Sequence, residues 1–158
     1  MAIRLSTGYR SRILGPTAFD TIFQNGVIEV RSGVQPASAN LAPTGVLLGR
    51  ITRDGGAFTP GSPANGLQFE RIGATVQKVA THVWSLEGIA AGTAAWARLL
   101  GNAADAGDES LVMPRIDFAI GDLDTAGDYQ MRLPILAITN GLSIPIEQWT
   151  YSLPPIGA

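Results

Sequence analysis

Hydrophobic and polar positions alternate with a period of two along most of the chain, and only the first 25 residues depart from that rhythm. Val27 to Arg31 (VIEVR) places Ile28 and Val30 on one face and Glu29 and Arg31 on the other, the pattern of a strand with one buried side. The alternation over 112–120 is the cleanest: Val112, Ile116, Phe118 and Ile120 point one way, Arg115 and Asp117 the other. Tyr129, Met131 and Leu133 likewise oppose Asp128, Gln130 and Arg132. Further strands are predicted over 46–52, 67–70, 74–79, 81–86, 94–100 and 135–139, with His82, Trp84 and Leu86 sharing a face. A last strand over 142–153 carries Trp149, Tyr151 and Leu153 on one side, and Pro154 and Pro155 close the sheet.

The breaks between these runs are built from turn residues. The segments SGVQPASANLAPTG (32–45) and AFTPGSPANG (57–66) permit no regular element, and Asn140-Gly141 is a strong short hairpin signal because a type I′ turn needs positive φ at both central residues. In residues 1–25 the period lengthens. Tyr9, Ile13 and Leu14 mark one or two helical turns. Pro16 fits a first helical position, Phe19, Ile22 and Phe23 fall at i, i+3 and i+4, and Asn25-Gly26 supplies a left-handed stop. About eight to ten short strands with irregular connections predict a mainly β chain, an antiparallel β-sandwich or jelly-roll-like fold with a short N-terminal helix. No strand-helix-strand alternation supports a parallel sheet.

Composition sharpens this picture in three ways. The length of 158 residues and 46% hydrophobic content suit a single domain spanning 1–158, and 19 Gly with 10 Pro supply its many turns. Net charge is −2 and the basic residues are scattered singly, which argues against a nucleic-acid partner. Ten of the 11 basic residues are Arg, Lys78 being the sole lysine, and the guanidinium fork suits packed contacts with carboxylates. With no cysteine there is neither a disulfide framework nor a thiolate metal site. No run approaches the ~20 apolar residues of a spanning helix, and the N-terminus lacks an apolar signal core, so a soluble chain made in the cytoplasm is expected.

Candidate chemistry is sparse. His82 is the only histidine and therefore the only possible imidazole base, but its predicted setting beside Trp84 and Leu86 is that of a packed ring. Asp122, Asp124 and Asp128 in GDLDTAGD are the nearest approach to a cation loop; they lack the glycine and the bidentate glutamate of an EF-hand, and a solvated turn accounts for them. Asp117 with Glu87 or Glu147 is a conceivable carboxylate pair for glycoside hydrolysis. Trp84, Trp96, Trp149 and Tyr151 could form a sugar-stacking platform, or serve as core anchors. No nucleotide-binding glycine motif is present, and no cofactor is implied.

Five blocks together carry a resemblance: MAIRLSTGYRSRIL, GVIEVRSGVQPASANLAPTGVLLGRIT, GGAFTPGSPANGLQF, GTAAWARLLGNAADAG and MPRIDFAIG. Over nearly the whole chain they resemble a family of small tailed-bacteriophage proteins of the virion structural type, with Ala95 and Ala97 beside Trp96 as a mild departure from its pattern. The resemblance implies a non-enzymatic virion component made in the host bacterial cytoplasm. A head decoration or cement protein fits best, bound to the major capsid protein and to copies of itself as an oligomer on the particle, with no membrane partner. It carries over no catalytic, cofactor or metal residue. A tail, baseplate or fibre-associated role and a glycan-binding module are the alternatives.

Overall fold

The computed structural model describes residues 3–152, and its strands and helices follow the chain as β1 (Arg4–Leu5), α1 (Thr7–Ile13), α2 (Phe19–Phe23), β2 (Val27–Arg31), β3 (Leu47–Arg53), β4 (Phe69–Ile72), β5 (Thr75–Lys78), β6 (Trp84–Gly88), β7 (Gly92–Thr93), β8 (Trp96–Leu100), β9 (Arg115–Asp122), β10 (Met131–Leu133), β11 (Ala137–Ile138), β12 (Ser143–Ile146) and β13 (Thr150–Ser152). The protein is mainly β and sandwich-like. One large sheet runs in the order β1-β9-β8-β2-β3-β6-β12, with β10 added to β9, and a three-stranded sheet runs β13-β5-β4. Pairing is antiparallel throughout except between β10 and β9.

Period-two alternation decides which side of the large sheet meets the small one. Ile28, Val30, Ile51, Leu86, Leu99, Ile116 and Phe118 face inward and are almost wholly buried. Against them lies an aromatic cluster: Phe69 of β4 meets Trp84 of β6 edge-on at 5.3 Å, and Trp149 lies 5.4 Å from Phe69 and 6.3 Å from Phe118. The helices close one side, Phe19 of α2 stacking on Tyr151 at 5.2 Å. Offset and edge-on rings of this kind add to the stabilisation from area burial alone.

Both helices are short and are held by their ends. Ser6 caps α1, its Oγ accepting from the amides of Tyr9 and Arg115 and donating to Met113 O, while Arg10 and Arg12 complement the C-terminal dipole. Ser6 thus ties α1 to β9. Helix α2 begins at Phe19, later than Pro16 had implied, with Ala18 as its cap; Pro16 lies in the preceding turn. Asn25 supplies the expected left-handed stop, at φ 57°.

Several strand boundaries differ from the sequence reading for identifiable reasons. β1 went unpredicted, being two residues long and defined by its pairing with β9. β9 begins at Arg115, and Val112 lies outside it and exposed. β6 begins at Trp84, so His82 precedes the strand. The 142–153 strand is two strands, β12 in the large sheet and β13 in the small one; Leu153, Pro154 and Pro155 lie outside the described residues. Asn140-Gly141 does form a turn, closed by Leu142 N–H to Thr139 O at 3.1 Å, but only Gly141 has positive φ. The flanking strands are no hairpin, for β11 pairs with β7 and β12 with β6.

Candidate functional site

The chemistry-bearing residues do not converge. His82 is half-buried, and burial, followed by the charge of Arg53, lowers its pKa. The ring makes no hydrogen bond to a hydroxyl or carboxylate among the described residues, and its Nδ1 is buried without a partner. Asp117 and Glu87 sit on β9 and β6, four strand steps apart, about 19 Å at ordinary strand spacing. Glycosidase carboxylates stand ~5–9.5 Å apart. Asp117 is in addition sealed in an ion pair with Arg98, so it is not open to act with Glu147 either, which is exposed between β12 and β13.

Asp122, Asp124 and Asp128 are not brought together. Asp122 Oδ1 accepts from the amides of Asp124 and Thr125; hydrogen bonding from the Thr125 side chain, followed by these amides, lowers its pKa. The loop carbonyls are occupied by Arg132, whose guanidinium donates to Asp122 O at 2.7 Å, Thr125 O at 2.7 Å and Gly127 O at 2.9 Å. Among the described residues no group of three or more His, Asp or Glu is placed to hold a metal ion. The proposed sugar platform is not assembled, since Trp84, Trp96, Trp149 and Tyr151 are all buried.

What the fold does build lies on the outer face of the large sheet. Register brings Arg4, Asp117, Arg98, Glu29, Arg50, Glu87 and Ser143 opposite one another, one residue per strand across all seven. From Arg4 to Glu87 the charges alternate in sign along this rung, so each charged residue faces opposite charge on its charged neighbours, an arrangement that favours this register over a slipped one.

One end of the rung is covered by two long loops. Arg98 Nε and Nη2 donate to Asp117 Oδ1 and Oδ2 at 2.7 and 2.8 Å, and its Nη1 donates to Leu41 O at 3.0 Å. Arg115, the next residue but one along β9, grips Asp105 at 2.7 and 2.6 Å and donates to Asp108 O and Asn40 O at 2.8 and 3.3 Å. Arg4 donates to the carbonyls of Gln35 and Pro36. Three guanidiniums therefore strap loop 32–46, and one of them loop 101–114, onto the sheet. Trp96 is buried on this same face; its Nε1 donates to Ser32 O at 3.2 Å, and Arg98 lies over its ring. It is a buried anchor, as expected, and its place is beneath the strap, outside the main core cluster.

The two carboxylates in these pairs titrate in opposite directions. Burial pushes Asp117 up, more strongly than the Arg98 hydrogen bonds and charge pull it down. Burial acts on Asp105 in the same sense, yet the Arg115 hydrogen bonds, the Gly107 amide and the nearby guanidinium charges outweigh it and hold that carboxyl below its ordinary value.

With their polar groups turned inward, the straps present apolar side chains outward. Val34, Leu111 and Val112 are 83%, 62% and 70% exposed, and Leu41 is also exposed. Leu41 and Leu111 lie on adjoining segments, since Ser110 N–H donates to Asn40 O at 2.8 Å. The Asn40 side chain links the straps to α1 by exchanging hydrogen bonds with Thr7 at 2.8 and 2.9 Å. Alternation places Arg115 and Asp117 on the face opposite the core without showing what covers them; the signal for the straps was the near-exclusive use of Arg.

No family model, characterised protein or solved structure matches the chain.

Proposed function

We propose that this chain is a structural component of a tailed-bacteriophage particle, a head decoration or cement protein that seats on the outer capsid surface and bridges major capsid proteins. The observation that carries the reading is the strapped surface: two long loops exposing Val34, Leu41, Leu111 and Val112 are fastened to the sheet by Arg4, Arg98 and Arg115. A loop ordered before it meets its partner loses little conformational entropy on binding, which is what a stabilising clamp requires. The family resemblance points the same way, and so does the location of the charged groups, which hold the fold together instead of converging in a cleft.

A count of copies per particle tests the reading. Quantitative mass spectrometry of particles purified from lysates of the host carrying the gene should find the protein in stoichiometric proportion to the major capsid protein. A few or a few dozen copies per particle would move the assignment to the tail or baseplate. Particles free of the protein would overturn it.

A further inference from the structure

Between the two straps a cleft of about 430 Å³ opens onto the outer face of the large sheet. That volume lies within the ~300–1,000 Å³ of pockets that bury a ligand. Glu29, Arg31 and Arg50 line it together with the apolar Pro43, Leu47 and Leu100. The two arginines share a single carboxylate: Arg31 Nη2 donates to Glu29 Oε2 at 2.8 Å, and Arg50 Nη2 reaches Oε1 at 3.4 Å. Glu87 faces Arg50 from the next strand, but its Oε1 accepts from the hydroxyls of Ser85 and Ser143, each at 2.7 Å. Asp105, also in the lining, is held by Arg115.

Donor capacity is thereby left over. Arg31 Nε is buried and has no hydrogen-bond partner among the described residues, while the Arg50 side chain is 44% exposed. A guanidinium with unused N–H groups beside apolar walls is suited to a carboxylate, whose oxygens accept charge-assisted hydrogen bonds. A polyanion is disfavoured by the chain's net charge of −2 and by the exposed Asp108 that also lines the cleft.

We propose that this cleft receives an Asp or Glu side chain carried on an extended, otherwise apolar segment of a partner protein, its carboxylate bound between Arg31 Nε and Arg50. The inference deepens the clamp reading and rests on it for the partner's being a protein. The test uses the full-length recombinant chain and a fluorescein-labelled Ala-Glu-Ala-Glu-Ala peptide, followed by anisotropy at low salt, with the Gln-substituted peptide as control. The Glu peptide should bind about tenfold or more tighter than the Gln peptide, the worth of one charge-assisted hydrogen bond. Arg50→Gln should remove that preference, and Asp108→Asn should strengthen binding. Thermal unfolding of each variant checks that the fold is kept. Equal binding of the two peptides, no effect of Arg50→Gln, or tighter binding of a single-stranded oligonucleotide than of the Glu peptide would overturn the proposal. The outcomes separate cleanly: peptide binding by a protein missing from particles removes only the virion reading, and particles carrying a protein indifferent to the peptide remove only the cleft.

Discussion

The ion pair between Arg98 and Asp117 offers the sharpest test of how the outer face is built. Both side chains are buried, at 2% and 0% exposure, and both Asp117 oxygens are engaged. Asp117→Ala leaves a buried guanidinium that cannot shed its proton. Breaking one member of such a pair costs about 3–5 kcal/mol, a fall of roughly 6–20 °C in Tm for a chain of this size. Arg98→Met differs in kind, because the stranded Asp117 can escape by taking up a proton, and burial already pushes its pKa upward. Its cost should therefore shrink as pH falls toward 5, whereas that of Asp117→Ala should not.

Replacing both partners, as Arg98→Met with Asp117→Leu, removes two desolvated charges at once and should recover most of the loss. Urea unfolding of the four proteins gives the coupling energy, expected at about 2 kcal/mol or more. Stability and loop ordering then separate. The double variant still lacks the Arg98 hydrogen bond to Leu41 O, so amides of residues 38–46 should exchange faster in it even though its Tm is restored. A cost below about 1 kcal/mol for Asp117→Ala, as for an exposed pair, or strict additivity of the two single changes, would refute the account of the sealed face.

Trp96→Ala should cost about 3–5 kcal/mol, with faster amide exchange in loop 32–46; a loss near zero by urea unfolding would mean that the indole does not anchor the strap. Ser6→Ala removes the cap of α1 together with its bonds to β9 and should cost about 1–2 kcal/mol, with the helix amides of residues 9–12 losing protection in hydrogen exchange. Asp105 has a folded-state pKa below its ordinary 3.8, so its contribution is fully present above that value and is lost as pH falls through the folded one. The stability gap between wild type and Asp105→Asn, followed by urea unfolding from about pH 6 to pH 2, should be widest at the neutral end and narrow toward acid; a gap that widens with acid would contradict the Arg115 pairing.

How much of this was legible in the sequence depends on what each pattern encodes. Alternation in VIEVR and over 116–120 correctly sorted Ile28, Val30, Ile116, Phe118 and Ile120 onto the inner face. Alternation says only that two faces differ, and it cannot say what covers the second. Arg115 and Asp117 do lie on the face opposite the core, and both are nevertheless buried. The cover is loop 32–46 and loop 101–114, whose Pro, Gly and Ala content encodes turns and carries no address. The address lies in backbone carbonyls, Asn40 O and Leu41 O, which every residue type possesses. One boundary that the sequence reading missed was nevertheless written in the chain: the buried apolar positions are even-numbered at Ile144 and Ile146 but odd-numbered at Trp149 and Tyr151. A slip of one residue in a period-two pattern cannot be accommodated by one flat strand. It requires a break, and here the break carries the chain from the large sheet to the small one, which lets a single short segment help to close both layers of the sandwich.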